Sequence, residues 1–412
     1  MRATSSLFRQ HLGWHFKRKW KIHGAKVINN TPAEEVLISL GKTVHNPDDI
    51  LYERRPFQKV NIVGTQDLEA PLDENHPLFK EKPCLVLADH NVVVEGLDQM
   101  KVLTKSVETE DGLPSIVENL TPKENSELND KLVKRCILSS HVFDASQEKL
   151  PHIRDPNRPA FKFPRVYGIS YSRRAKLLSS RLFQLCESLV QGSATQSSVI
   201  EDGKTTVFFD KENDLIQFDL TIDLAHIRAS PLKPLSAADD TLGISLPDIY
   251  PFSSTITLEP NNFYEIRDQT FFNKNRPARY VNTAITYFDE TKVFNLYETP
   301  VTEKQILGRT LAKAFAVAAA QARHRFGDNV KNLPEPVTIQ CIQTDGRWFH
   351  FLVFQLNTLN LNGKDGVKNI MWNIPRIQLF NSCTYIKGKP TLEGYNPEVF
   401  KRLLGFYKHS LH

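Results

Sequence analysis

The sequence predicts an α+β fold: an antiparallel or mixed sheet built on a C-terminal hairpin and packed by helices. Three observations lead there. Val337 to Gln343 and Arg347 to Leu356 are strand-like runs flanking Asp345-Gly346, a strong hairpin signal. Both faces of that hairpin are largely apolar. One carries Val337, Ile339, Cys341, Trp348, His350, Leu352 and Phe354, and the other Ile342, Phe349, Phe351 and Val353. Such a strand pair is covered on both sides. An alanine-rich helix over 303–326 directly precedes the hairpin and is expected to lie on one of its faces.

The hairpin register follows if the loop is two residues long. A type I′ turn needs φ > 0 at Asp345 and Gly346 and sets Cys341 opposite His350, Ile342 opposite Phe349 and Ile339 opposite Leu352.

Taken in order, the chain begins with an acid-free basic stretch over 1–28. Phe8, Leu12, Phe16 and Trp20 recur every fourth residue, so a helix gathers them near one face. That is the pattern of a mitochondrial presequence, or of a basic arm retained against RNA. A short helix is expected around Ala33–Leu40, then an extended arm. Strands are expected at Cys84–Ala88 and Val92–Glu95, a helix or continued strand over Gly96–Ser106, and helix over 115–145 with a break at Pro122.

Residues 151–165, rich in proline and arginine, read as a linker or surface arm. A helix is expected at about 172–190 and a second hairpin over Thr205–Asp210 and Leu215–Leu224. Residues 229–250 read as a loop, and Ile256–Leu258 and Thr283–Phe288 as further strands. Thr302 and Gln305 form a capping box for the 303–326 helix, which Gly327 closes. The last helix is capped by Asn396, with Pro397 at its first turn and Val399, Phe400, Leu403, Leu404 and Tyr407 as its apolar stripe. The chain thus divides into a presequence or basic arm (1–28), an N-terminal arm with the first part of the α/β body (29–150), the 151–165 segment, and a main α+β body (166–412) with hairpin 337–356 and helix 303–326.

Composition narrows the function. At 412 residues, 40% hydrophobic and 24% charged, the chain reads as globular, and no run approaches the ~20 apolar residues of a membrane span. The net charge of +5 is unevenly distributed: +7 over residues 1–33, +8 over 301–412 and −10 between. The two ends suit phosphate and the acidic middle does not. Five widely spaced cysteines without a C-x-x-C argue against a disulfide framework or a zinc knuckle.

No phosphate-binding glycine loop, dinucleotide fingerprint, nucleophile elbow or H-E-x-x-H is present. The expectation is no catalytic residue, no cofactor and no metal. The one pair to weigh is Cys341 with His350, as nucleophile and base. Its neighbours Ile339, Leu352 and Trp348 favour a buried thiol beside a buried imidazole, since a thiolate needs an electropositive, partly exposed setting. The RNA-contact candidates are Lys17, Arg18, Lys19 and Lys21 around Trp20, and Arg323 and Arg325 at the end of the long helix. Cations there also complement the helix dipole. Arg173, Arg174, Lys387, Lys389, Lys401 and Arg402 read as solvated surface charges.

Several stretches resemble one family, that of mitochondrial large-subunit ribosomal protein 37 and programmed cell death protein 9. They are Gln321-Ala-Arg323, Gly327, Thr344-Asp-Gly-Arg347, Phe349 to Thr358, Gly366-Val-Lys-Asn369 and Trp372. Weaker matches are His76-Pro-Leu78, Glu95-Gly96, Leu103-Thr-Lys105, Gly112-Leu-Pro114, Tyr250-Pro251 and Asn396-Pro-Glu398 with the helix behind it. The resemblance spans about 76–409 in order, is poor over 191–300 and slight over the first 75 residues.

It implies a structural component of the mitochondrial large ribosomal subunit in the matrix. The implied partners are large-subunit ribosomal RNA and neighbouring mitoribosomal proteins, with programmed cell death protein 9 as one. No catalytic residue is implied. The rival expectation is a mitochondrial RNA-associated enzyme or assembly factor using Cys341 and His350.

Overall fold

The computed structural model describes residues 32–45, 73–109, 112–142, 144–150, 157–158, 160, 167–190, 197–273, 276, 278–290, 292–293, 295, 299–386 and 389–411. Residues 1–71 and 72–412 are two separate units. In the first, Pro32–Ser39 forms helix α1, with Pro32 at its first turn and no buried side chain. The 1–28 stretch, with Lys17, Arg18, Lys19 and Lys21, lies outside the described residues, as does most of 151–165.

The second unit is organised by a ten-stranded mixed sheet with helices on both faces. Its first elements are β1 (Phe79–Ala88), α2 (Leu97–Leu103), β2 (Ser106–Glu108), α3 (Ser115–Leu120) and α4 (Glu127–Val142). A small pair, β3 (Glu148–Lys149) and β4 (Tyr167–Gly168), precedes α5 (Tyr171–Leu189). Then come β5 (Ser197–Lys211), β6 (Asp214–Arg228), β7 (Glu259–Phe263), β8 (Tyr280–Tyr287), α6 (Glu303–Phe326), β9 (Asn332–Thr344) and β10 (Trp348–Thr358). The chain closes with β11 (Asn369–Asn373), β12 (Ile377–Gln378), the hairpin of β13 (Ser382–Ile386) and β14 (Lys389–Glu393), and α7 (Pro397–His409).

The sheet runs β2-β11-β10-β9-β8-β6-β1-β7, with β5 along β6 and β12 along β10. The pairs β1–β6, β8–β9 and β11–β2 are parallel and the rest antiparallel. Between the parallel neighbours β8 and β9 the chain crosses over through α6, the usual reason a helix lies across a sheet.

Helix α6 follows its sequence signals closely. The Thr302 side chain accepts from the Gln305 N–H, Gln305 Oε1 accepts from the Thr302 N–H at 2.9 Å, and Gly327 takes φ +101 just past the end. Residues 308–322 are all buried. Its alanines leave room for the sheet, and Phe315 fills the centre. The Phe315 ring meets Phe209, Phe218 and Phe354 edge-on, with centroids 5.3, 5.8 and 6.3 Å away. Phe315 thereby ties the β5–β6 hairpin to the β9–β10 hairpin. At its start α6 crosses Gly96, whose φ is +58. A Cβ on Gly96 would lie 2.6 Å from the Lys304 carbonyl carbon, and one on Gly308 would lie 2.7 Å from the Gly96 oxygen. Glycine at both positions lets the two backbones touch.

The other face of the sheet is covered by α3, α4, α5 and α7. Ile342, Phe349, Phe351 and Val353 point there and meet Leu178, Leu182, Phe406 and Tyr407. The sequence assignment of the hairpin's two faces therefore holds.

Its register does not. Cys341 pairs with Leu352, His350 with Gln343 and Phe349 with Thr344, so the loop is Asp345–Trp348 and each pair is displaced by two residues. The cause is the Asp345 side chain. Its Oδ1 accepts from the N–H groups of Arg347 at 2.8 Å and Trp348 at 2.7 Å, while Gly346 N–H donates to Thr344 Oγ1. Only Gly346 has positive φ. An Asx-type turn has replaced the type I′ turn. A shift of two leaves the faces unchanged because side chains alternate with period two.

Three smaller expectations also shift. Val92–Glu95 is not a strand: Val92 packs on Phe288, Val293 and Ile306 in a small cluster without a ladder. Residues 254–257 form a turn, with Thr257 at φ +73, and the strand begins at Glu259 rather than Ile256. The second hairpin is longer than expected and turns on Glu212-Asn213 alone, at φ +49 and +76.

Candidate functional site

Cys341 and His350 sit on the α6 face at diagonal, not opposed, positions, and both are fully buried. Burial pushes the Cys341 thiol up to about 12 and the His350 imidazole down to about 4. Near neutral pH one stays a thiol and the other stays uncharged. A thiolate–imidazolium pair, the form such a dyad works through, is opposed from both sides. The pair belongs to the core.

The two described RNA-contact candidates lie in the last turn of α6. Arg323 Nη1 meets Asp268 Oδ2 at 2.5 Å, and its Nη2 donates to the Phe208 carbonyl. Arg325 meets Glu335 Oε2 at 2.5 Å, and its guanidinium lies 4.8 Å from the Phe326 ring centre and 5.8 Å from that of Tyr280. The two arginines, two residues apart on the helix, turn to different neighbours, and each has a carboxylate partner.

This turn separates two open grooves. One, of about 610 Å³, is lined by Arg267, Arg323 and Lys331 together with Asp210, Asp268 and Asp328. The other, of about 700 Å³, runs between the first half of β5 and the 270–273 segment with Arg276 and Ala278, with His324 on its wall. This second region lies inside the acidic middle of the sequence. A local signal was available: residues 269–288 hold Lys274, Arg276 and Arg279 and no acid.

Beneath the first groove lies a group of buried amines. Lys211 Nζ donates to the carbonyls of Val102 at 2.7 Å and Leu361 at 2.8 Å. Lys105 Nζ donates to Asn362 O, and Lys368 Nζ to Gly366 O. Burial lowers Lys211 to about 8. The Lys211 and Lys105 bonds clamp the 359–368 loop to the C-terminal end of α2, where cations favour the helix dipole, and the Lys368 bond braces the loop itself. Among the described residues no group of three or more His, Cys, Asp or Glu is placed to hold a metal, and no helix is long and apolar enough to cross a membrane.

A rat (Rattus norvegicus) protein named large ribosomal subunit protein mL37 is 30% identical over 356 residues, covering 83% of this chain and 78% of its own length. The chain belongs to the mL37 family. The cattle (Bos taurus) mL37 is 28% identical over 409 residues, or 95% of this chain and 88% of that protein. A family model described as "Mitochondrial 28S ribosomal protein S30 (PDCD9)" matches residues 298–410. That span takes in α6, the β9–β10 hairpin and α7, whose side chains supply much of both cores. The mL37 relatives carry a large-subunit name and the family model a 28S name; the mL37 similarity spans most of the chain and decides the family.

Proposed function

We propose that this chain is a structural constituent of the mitochondrial large ribosomal subunit in the matrix. It supports mitochondrial translation by holding ribosomal RNA and neighbouring ribosomal proteins. The observation that carries the reading is mL37 similarity over 83–95% of the chain. The interior supports it, because the pair best suited to chemistry, Cys341 and His350, is locked in its uncharged forms.

Residues 1–28 act as a presequence or basic arm. Lys17, Arg18, Lys19 and Lys21 contact ribosomal RNA from the first unit, and Arg323 and Arg325 from the last turn of α6. The two arginines reach phosphate alongside Asp268 and Glu335, so their contribution is smaller than two unpaired guanidiniums would make. Programmed cell death protein 9 is a neighbour among the protein partners.

Sucrose-gradient sedimentation of mitochondrial lysate tests the reading. The chain is expected in the large-subunit fractions, and sedimentation solely with free soluble protein would overturn it. Cys341→Ser is expected to leave organellar protein synthesis unchanged.

A further inference from the structure

We propose that the groove beside the last turn of α6, between the first half of β5 and the 270–273 segment with Arg276 and Ala278, binds an unpaired segment of ribosomal RNA. The inference rests on the ribosomal reading above and adds a contact within the part of the chain whose overall charge opposes phosphate.

The lining carries the argument. Ser198, Val199 and Ile200 of β5 form one side, and Phe271, Phe272 and Arg276 the other. Among the described residues of the lining Arg276 and His324 are the ionisable ones, and none is a carboxylate. The neighbouring groove, by contrast, sets three carboxylates against three cations. Arg276 is exposed and pairs with no carboxylate among the described residues. Arg279, also exposed, holds its guanidinium 5.4 Å from the Tyr280 ring centre, and Arg325 approaches the same ring from α6. Arg279, next in sequence to the lining residue Ala278, and Arg325, which has Glu335 as its carboxylate partner, thus share one aromatic ring next to the groove.

Single-stranded nucleic acid needs both elements. A base stacks on an aromatic face and the flanking phosphates meet cations. Phe271 supplies the face. It is half-buried, stands edge-on to Phe272 at 5.4 Å, and rests against Gly203. A Cβ on Gly203 would lie 2.6 Å from the Phe271 ring, so glycine there is what lets the ring settle against the strand. A volume of about 700 Å³ falls within the roughly 300–1,000 Å³ of clefts that accept small ligands. A stacked duplex presents no free base face, and an acidic peptide would leave the aromatic wall unused.

The test is fluorescence anisotropy of the full chain with a short labelled oligouridylate, against a duplex RNA of the same length. Arg276→Glu with Arg279→Glu reverses two exposed charges outside the core and is expected to leave the thermal midpoint unchanged. Binding should weaken about tenfold or more, and the slope of log K against log salt should become shallower by about 1.4, roughly 0.7 for each lost phosphate contact. Ultraviolet cross-linking should join the oligouridylate to Phe271 or Phe272. Unchanged affinity and slope, equal preference for duplex, or cross-links confined to residues 1–33 would overturn the groove. If the chain still sediments with large subunits, the ribosomal reading survives that failure. If it never does, both fail together.

Discussion

The two long hairpins of the sheet turn in opposite ways from what their dipeptides suggest. Asp345-Gly346 is a favoured type I′ pair, yet it sits in a four-residue loop closed by the Asp345 carboxylate. Glu212-Asn213 is not a favoured pair, yet both residues take positive φ and the strands close directly around them, Lys211 facing Asp214. The difference lies in what surrounds each turn. Gly346 lies against α5, where a Cβ would come 3.2 Å from Ala175 Cβ, and Arg376 holds Asp345 Oδ2 at 3.0 Å. At the other turn the Glu212 N–H donates to Asn362 Oδ1 at 2.8 Å, and the Lys211 amine anchors the strand end to two carbonyls. Loop geometry in both cases is set by partners distant in sequence, which outweigh a local preference of about 1–2 kcal/mol.

Four substitutions probe this contrast, from the largest effect to the smallest, and a fifth reads it through pH. Phe315→Ala removes the ring that joins the hairpins and should cost about 3–5 kcal/mol in chemical denaturation. A loss under about 1 kcal/mol would mean that the hairpins are held independently. Gly346→Val should cost about 2–3 kcal/mol, from positive φ and the Ala175 contact together; an unaltered melting temperature would contradict the observed loop. Asp345→Ala frees two backbone N–H groups and Arg376 and should cost about 1–2 kcal/mol. Glu212→Asn should stabilise by up to about 1 kcal/mol, since asparagine tolerates left-handed φ better. A loss of stability instead would show that the glutamate side chain matters there.

The fifth probe is a pH slope. Lys211 titrates near 8 when folded and near the ordinary ~10.4 when unfolded. Below pH 8 both states hold the proton. Between about 8 and 10.4 the unfolded chain binds more protons, so this group raises stability as pH rises. Cys84 and Cys341, pushed up to about 11 and 12, act in the opposite sense above pH 9. The Lys211 share is therefore read as the difference between the wild-type curve and that of Lys211→Met. Parallel curves would place the amine in water.

What the sequence disclosed follows from the range of its signals. The α6 cap and the α7 cap were legible because Thr302–Gln305 and Asn396–Pro397 act within one helical turn. Hairpin faces were legible because alternation survives a shift of two residues. The register was not, because the Asp345 turn depends on α5 and Arg376. Val92–Glu95 looked like a strand because a short apolar run does not reveal whether it has a ladder partner. The buried pair Cys341 and His350 was correctly weighed as core from its apolar neighbours. The acid-free stretch 269–288 does not show in the net charge of the 267 residues from 34 to 300, because a local excess of three cations is swamped by the acids around it.

The burial of α6 also bears on the order of events during synthesis. Its partners β5, β6 and β8 precede it, but β9 and β10 follow. A nascent chain that has emerged only as far as Gly327 carries a complete helix with one side of its bed missing. Phe315 then touches Phe209 and Phe218 and waits for Phe354. Until the last strands arrive, an alanine-lined helix and a half-built sheet share an open apolar seam, the kind of surface that chaperones hold and that aggregates when they do not.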